Sequence, residues 1–310
     1  MAWGWQTKPH IVFILADDLG WNMTGWRGND ITSTPFTDAM VRRDALTLQR
    51  HYAQSSCGPS RAALLTGRYT TQAGIGSDAC IQALYGSPTE MTLLPAKLQA
   101  AGYYTALAGK WDHGMARMEN LPVRRGFNTS FGFLSAKIDH WTQEVSQLDW
   151  ERPCGDTLKF DAAVVDSWAD ESPARGFAGK AFGDIQYMST AVDIIKGHDP
   201  EVPFFLYLAL QAPHDPFEAP DDCETTPRRR LAERGILAWD WDNLYSNEEN
   251  GNLYDAAVAQ YAMSTVVDRA VDKVRPLPDT RTHSSREDAC GEPTGPPTKV
   301  PDLCRPALLR

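Results

Sequence analysis

Two adjacent carboxylates, Asp17-Asp18, stand about 40 residues ahead of Cys57, which opens the run Cys57-Gly58-Pro59-Ser60-Arg61. Neighbouring carboxylates repel each other, so at the end of a strand they imply either a bound cation or full solvation. A hard divalent ion such as Ca2+ takes oxygen ligands, and carboxylates supply them. Pro59 to Thr66 reads as a short helix closed by Gly67, with Cys57 just before its N-terminus. The helix field there favours an anionic nucleophile and an anionic ligand beside it. Arg61, one turn in, could reach back with a fixed charge. Taken alone, Cys57 could equally be structural, disulfide-linked or a protease-like thiolate.

Two later segments add cations and imidazoles. Gly109-Lys110-Trp111-Asp112-His113-Gly114 offers Lys110 as a partner for anionic oxygens, with Asp112 and His113 next to it. Neighbouring residues on extended chain point opposite ways, so only one of that pair is expected to face the same site as Lys110. Gln211-Ala212-Pro213-His214-Asp215-Pro216 presents His214, which could donate to an anion or protonate a leaving alcohol. The alternatives are an exposed loop residue for His113 and a structural histidine in a proline-rich turn for His214.

These groups need a scaffold. His10 to Ala16 is rich in Ile, Val, Phe and Leu, the pattern of a strand buried on both faces. Tyr103 to Ala108 and Pro203 to Leu210 read as two more strands. Thr34-Pro35 looks like an N-cap followed by proline at the first helical position, opening a helix to about Leu46. Leu94 to Ala101 reads as a helix ending at Gly102. Ile185, Met188, Val192 and Ile195 share one helical face, and Met263, Val266, Val267, Ala270, Val271 and Val274 form the apolar stripe of another helix. Helices alternating with buried strands predict an α/β fold, a central sheet with helices on both faces. Asp17-Asp18, Lys110 and His214 each follow a strand, and ligands gather at the carboxyl ends of strands in open α/β sheets.

Composition narrows the partners. Thirty Lys and Arg against 40 Asp and Glu leave a net charge of −10, which argues against non-specific nucleic-acid binding. That charge would also repel an anionic substrate unless a metal or local cations reverse the field. No run is long and apolar enough to span a membrane, and Met1 to Pro9 lacks the apolar core of a secretory signal. The six cysteines show no Cys-x-x-Cys pair, so zinc spacing is absent and the compartment is left open. Residues 9–274 read as one catalytic domain, whereas 275–310, with seven of the 21 prolines, reads as a disordered or unrelated tail.

Cys57-Gly58-Pro59-Ser60-Arg61, continued by Thr66-Gly67-Arg68, resembles the sulfatase signature Cys-x-Pro-x-Arg followed by Thr-Gly-Arg. Arg124-Arg125-Gly126-Phe127-Asn128 is similar to a segment of arylsulfatases of the N-acetylgalactosamine-4-sulfatase type and is read as structural. The resemblance implies an alkaline-phosphatase-like sheet and hydrolysis of a sulfate ester by a hydrated formylglycine, made from Cys57 by a formylglycine-generating enzyme. It implies Cys57, Arg61, Lys110, His113 and His214 as catalytic groups, and Asp17, Asp18 and Cys57 around one divalent ion, usually Ca2+. Arg68 is expected to be structural, bracing Asp17-Asp18. Gly-Lys-Trp-His-x-Gly is the family pattern at Lys110, and here Asp112 stands where the family has histidine; this would place negative charge near the sulfate and let His113 replace the histidine only with a local shift. The family's later Asp-Asn-Gly metal segment has no counterpart after Val274, so the chain resembles an N-terminal catalytic portion with its sheet incomplete at the C-terminus and its own activity in doubt. Family members are usually secreted, lysosomal or periplasmic. An inactive relative that binds anionic glycans or a protein, and a phosphodiesterase of the alkaline-phosphatase superfamily, are the alternatives; the latter uses Ser or Thr as nucleophile.

Overall fold

A computed structural model describes residues 8–74, 86–145, 164–236 and 253–275. Four of the six cysteines and the expected tail from 276 onward lie outside the described residues. The elements are β1 (Ile11–Leu15), α1 (Pro35–Arg43), α2 (Cys57–Thr66), α3 (Thr70–Ala73), α4 (Leu94–Ala100), β2 (Tyr104–Lys110), β3 (Thr129–Phe133), β4 (Glu144–Val145), β5 (Val164–Val165), β6 (Trp168–Ala169), β7 (Ser172–Pro173), α5 (Gly183–Gly197), β8 (Phe204–Ala209), α6 (Asp221–Glu233) and α7 (Leu253–Val274).

The main sheet runs β1-β8-β2-β3-β6-β7. Its first four strands are parallel and the β6–β7 hairpin closes it antiparallel. Alternate residues feed opposite faces, as the two-residue period of a strand requires. Ala106, Ala108, Leu206 and Leu208 pack against α5 and α7, while Leu107, Phe205 and Tyr207 pack against Leu65 of α2 and Leu93 beside α4. The apolar stripe expected on α7 is buried throughout, from Met263 to Val274.

β8 is buried at all six positions, but β1 is not the doubly buried strand its composition suggested. Among the described residues it pairs only with β8, and Val12 is 39% exposed. Helix α1 also stops at Arg43, short of Leu46, which is exposed. The Thr34 side chain does not cap it. Thr34 Oγ1 instead donates to Asp38 Oδ1 at 2.8 Å, and the first-turn N–H groups of Phe36 and Thr37 donate to Asp268 of α7 at 3.1 and 2.6 Å.

Parallel pairing gives the sheet its functional edge. Leu15 pairs with Ala209, and Ala209 with Gly109, so β1, β8 and β2 end level with one another. Gly109 is obligatory at this point: φ is +108°, and a Cβ would lie 2.0 Å from the Ala209 carbonyl oxygen.

Candidate active site

Asp17, Lys110 and His214 follow three strands that are adjacent in space, and β2 runs as far as Lys110 itself. Helix α2 then brings Cys57 to the same edge as its first residue, with Ser56 at the N-cap. Cys57 is a free, half-buried thiol. One ligand atom from each of Asp17, Cys57 and His214 lies within 4.8 Å of the others.

Two buried cations back this group. Lys110 Nζ donates to Asp17 Oδ2 at 2.6 Å, and Arg61 Nη2 lies 3.2 Å from Asp17 Oδ1. Arg61 Nη1 also donates to the Lys110 carbonyl at 3.2 Å and meets the Tyr207 hydroxyl at 3.4 Å. Burial opposes the charge on both cations, yet their neighbours prevail and both pKa values are raised: Tyr207 and Asp17 act on Arg61, Asp112 and Asp17 on Lys110. Burial likewise opposes the charge on Asp17, but Lys110, Arg61 and His214 hold its pKa below the ordinary carboxylate value. Charges so placed are fixed. Asp18 differs, since its side chain is largely exposed and lies 3.7 Å from His214 Nε2.

His214 is oriented from behind. Its Nδ1 lies 2.9 Å from Asp215 Oδ1 and 2.7 Å from the Asp215 carbonyl, leaving Nε2 toward the basin. Burial disfavours the imidazolium, but hydrogen bonds to Asp215 and Cys57 outweigh it and raise the pKa to about 10. Lys137 Nζ holds the second Asp215 oxygen at 2.6 Å. Deeper still, Asp184 accepts from the N–H groups of Gln211 and Ala212 at 2.8 and 3.3 Å, and His140, stacked on Phe182, lies 3.2 Å from the His214 carbonyl. Asp184, His140, Gln211 and Asp215 were not read from the sequence as part of the site. Only Asp215, next to His214, offered a local signal.

A family model described as Sulfatase matches residues 9–276. The chain belongs to the sulfatase family. It is 33% identical over 216 residues to arylsulfatase J of Mus musculus, covering 69% of this chain and 34% of that protein. It is 32% identical over 226 residues to N-acetylgalactosamine-6-sulfatase of Homo sapiens, covering 70% and 42%. The chain thus spans between a third and a half of these relatives. Among solved structures, Ps i-CgsB in complex with k-i-k-neocarrahexaose superposes with TM-score 0.63 at 26% identity, covering 86% of this chain and 54% of that one. Phosphonate Monoester Hydrolase of Agrobacterium radiobacter shares the fold at TM-score 0.54 and 19% identity, covering 86% and 58%. The α/β, alkaline-phosphatase-like sheet expected from the sequence is the one observed.

Within this member of the sulfatase family, the departure at Asp112 has a definite geometry. Asp112 has φ +47°, a left-handed turn that directs its carboxylate at the cations: Oδ2 lies 3.5 Å from Lys110 Nζ and 3.8 Å from Arg61 Nε. His113 is neither the exposed loop residue nor joined to the basin by a hydrogen bond. It is 1% exposed, packs edge-on to Trp111 at 5.2 Å, and neither ring nitrogen has a hydrogen-bond partner among the described residues. Burial and then the charge of Arg125 push its pKa down to about 3. Arg68 is exposed, and the guanidinium that braces Asp17 is Arg61. Arg125 is structural as expected, donating to the Ser87 hydroxyl at 2.9 Å and to the Pro88 and Met91 carbonyls at 3.1 and 3.0 Å.

The donor chemistry suits a hard divalent ion. Asp17 offers a carboxylate oxygen beside Cys57 and His214, Asp18 lies 3.7 Å from His214, and both oxygens of buried Asp112 lack a hydrogen-bond partner among the described residues.

Proposed function

We propose that the chain carries the catalytic N-terminal portion of a sulfuric ester hydrolase, with Cys57 as precursor of the nucleophile. The observation that carries this reading is the meeting of Cys57 with Asp17 and His214 within 4.8 Å, at a helix N-terminus and in front of two buried cations. Oxidation of Cys57 to formylglycine, by a formylglycine-generating enzyme, would supply a hydroxyl nucleophile there. Asp17 and Asp18 would hold one divalent ion, Ca2+ by family, which supplies charge compensation to sulfuryl oxygens.

The remaining chemistry belongs to the chain's own side chains. Arg61 and Lys110 are preorganised to offset charge on a transferring sulfuryl group, without solvent reorganisation. With Nδ1 held by Asp215, His214 carries its Nε2 proton at neutral pH and can pass it to the leaving alcohol. His113 stays in the proposal as the buried support of the Trp111–Asp112 turn. The relatives' names point to a sulfated sugar or aryl ester as substrate.

The test is co-expression with a formylglycine-generating enzyme, mass measurement of the Cys57 peptide, and assay on a small aryl sulfate with Ca2+. Conversion lowers the peptide mass by roughly 18 Da, and turnover should follow it and vanish in Cys57→Ala. A converted but inactive chain would favour the alternative of a sulfatase-like module that only binds anionic glycans or a protein.

A further inference from the structure

The residue least accounted for by that mechanism is Asp112. It is fully buried, both carboxylate oxygens lack a hydrogen-bond partner among the described residues, and its neighbours are the two cations offered to the substrate. Buried carboxylates elsewhere in this fold are satisfied by backbone N–H groups, as Asp166 is by Leu134 and Ser135 at 3.0 and 2.8 Å. A carboxylate without such bonds, set between Lys110 and Arg61, is a fixed negative charge inside an anion site.

We infer that Asp112 is a specificity-determining charge filter, which tilts this basin toward singly charged esters and away from doubly charged ones. The inference rests on the reading of the basin as an anion site, though not on turnover. A sulfate monoester carries one negative charge and a phosphate monoester carries two above its second ionisation. Both ligands approach the same cations, so Asp112 opposes the second twice as strongly as the first. Histidine, the family residue at this position, would impose no such charge. Lys110, Arg61 and His214 attract the second ligand more strongly too, so the filter is the difference that Asp112 makes between the two ligands. At separations of about 5–7 Å and an effective dielectric near 20, one additional ligand charge facing Asp112 changes affinity roughly 50- to 300-fold.

The test is equilibrium binding by calorimetry to the purified chain with Cys57 left as a thiol, so that no catalysis is involved. The probes are 4-nitrobenzenesulfonate, a monoanion, and 4-nitrophenylphosphonate above its second ionisation, a dianion of similar shape. Relative to wild type, Asp112→Asn should tighten the phosphonate at least about 10-fold more than the sulfonate, while Asp112→Glu should retain the wild-type ratio of the two affinities. Asp112→Ser removes the same charge and should shift the ratio the same way, so a failure of Asp112→Asn to fold leaves the test intact. Equal gains for the two probes on removal of the charge, or no binding of either probe to any of these proteins, overturn the filter. A chain that discriminates in this way but never hydrolyses an ester keeps the filter and loses the proposed activity.

Discussion

Asp112 and His113 are consecutive, yet they belong to two different regions of the molecule. Asp112 turns into the basin at the strand ends, among Lys110, Arg61 and Asp17, while His113 turns back into the packed layer with Trp111 and Arg125. The regions solve the problem of buried polarity differently. In the packed frame, carboxylates take backbone donors: Asp166 binds the N–H groups of Leu134 and Ser135, Asp184 those of Gln211 and Ala212, Asp268 those of Phe36 and Thr37. In the basin, charge faces charge and several groups keep spare hydrogen-bonding capacity, including Asp112 Oδ1 and Oδ2 and Arg61 Nε. Carboxylates satisfied from within the frame offer nothing to a ligand, even though His113 there stays unpaired among the described residues, whereas charged groups with spare capacity at the strand ends are what a ligand or ion can use.

Removing a basin cation should break this contrast most severely. Arg61→Met takes one partner from Asp17 and one from Asp112 and leaves both carboxylates buried. Unfolding in denaturant should show a loss of about 3–5 kcal/mol, because an uncompensated buried charge is worse than no pair at all. A loss below about 1 kcal/mol would mean that water reaches these groups freely and that the basin is not preorganised.

His113 sharpens the contrast through pH. Its pKa in the fold is depressed from 6.5 to about 3, so the unfolded chain binds a proton that the folded chain refuses. The sign is therefore set: the His113 contribution is complete above pH 6.5 and is lost as pH falls from 6.5 toward 3. Over that window it amounts to roughly 5 kcal/mol. Thermal unfolding of His113→Leu followed against pH should be flatter than wild type by about that amount. Parallel curves would place the ring in contact with water.

The positions that could react were legible because local pattern was enough to find them. Cys57, Asp17, Lys110 and His214 each follow or open an element whose period and caps are written nearby, and parallel pairing brings three strand ends together. The negative charge that Asp112 brings near the basin was legible from its place in the motif, but its pairing with Lys110 and Arg61 through one left-handed φ was not. The exposure of β1 was hidden for a similar reason: its composition reports β-propensity, whereas burial depends on how many strands flank it. The Asp184–Gln211–His140 support was missed because its members come from three separate segments. Helix α6 escaped as well, carrying Pro227 inside it and a strongly charged surface.

Asp268 gives the smallest expected effect and the cleanest control for the frame. Proline at the first position of α1 supplies no N–H, so the orphan donors of that turn begin at Phe36 and Thr37. Asp268 accepts both from 231 and 232 residues away along the chain, tying α1 to α7. Asp268→Ala should cost about 1–2 kcal/mol in denaturant unfolding, the usual worth of a helix cap. It should leave the relative affinities for 4-nitrobenzenesulfonate and 4-nitrophenylphosphonate unchanged, because Asp268 neither touches the basin cations nor braces the loop of His214. A shift in those affinities would show that α1 and the strand ends move together, and the division between a self-satisfied frame and an open basin would then fail at the point where it is most easily tested.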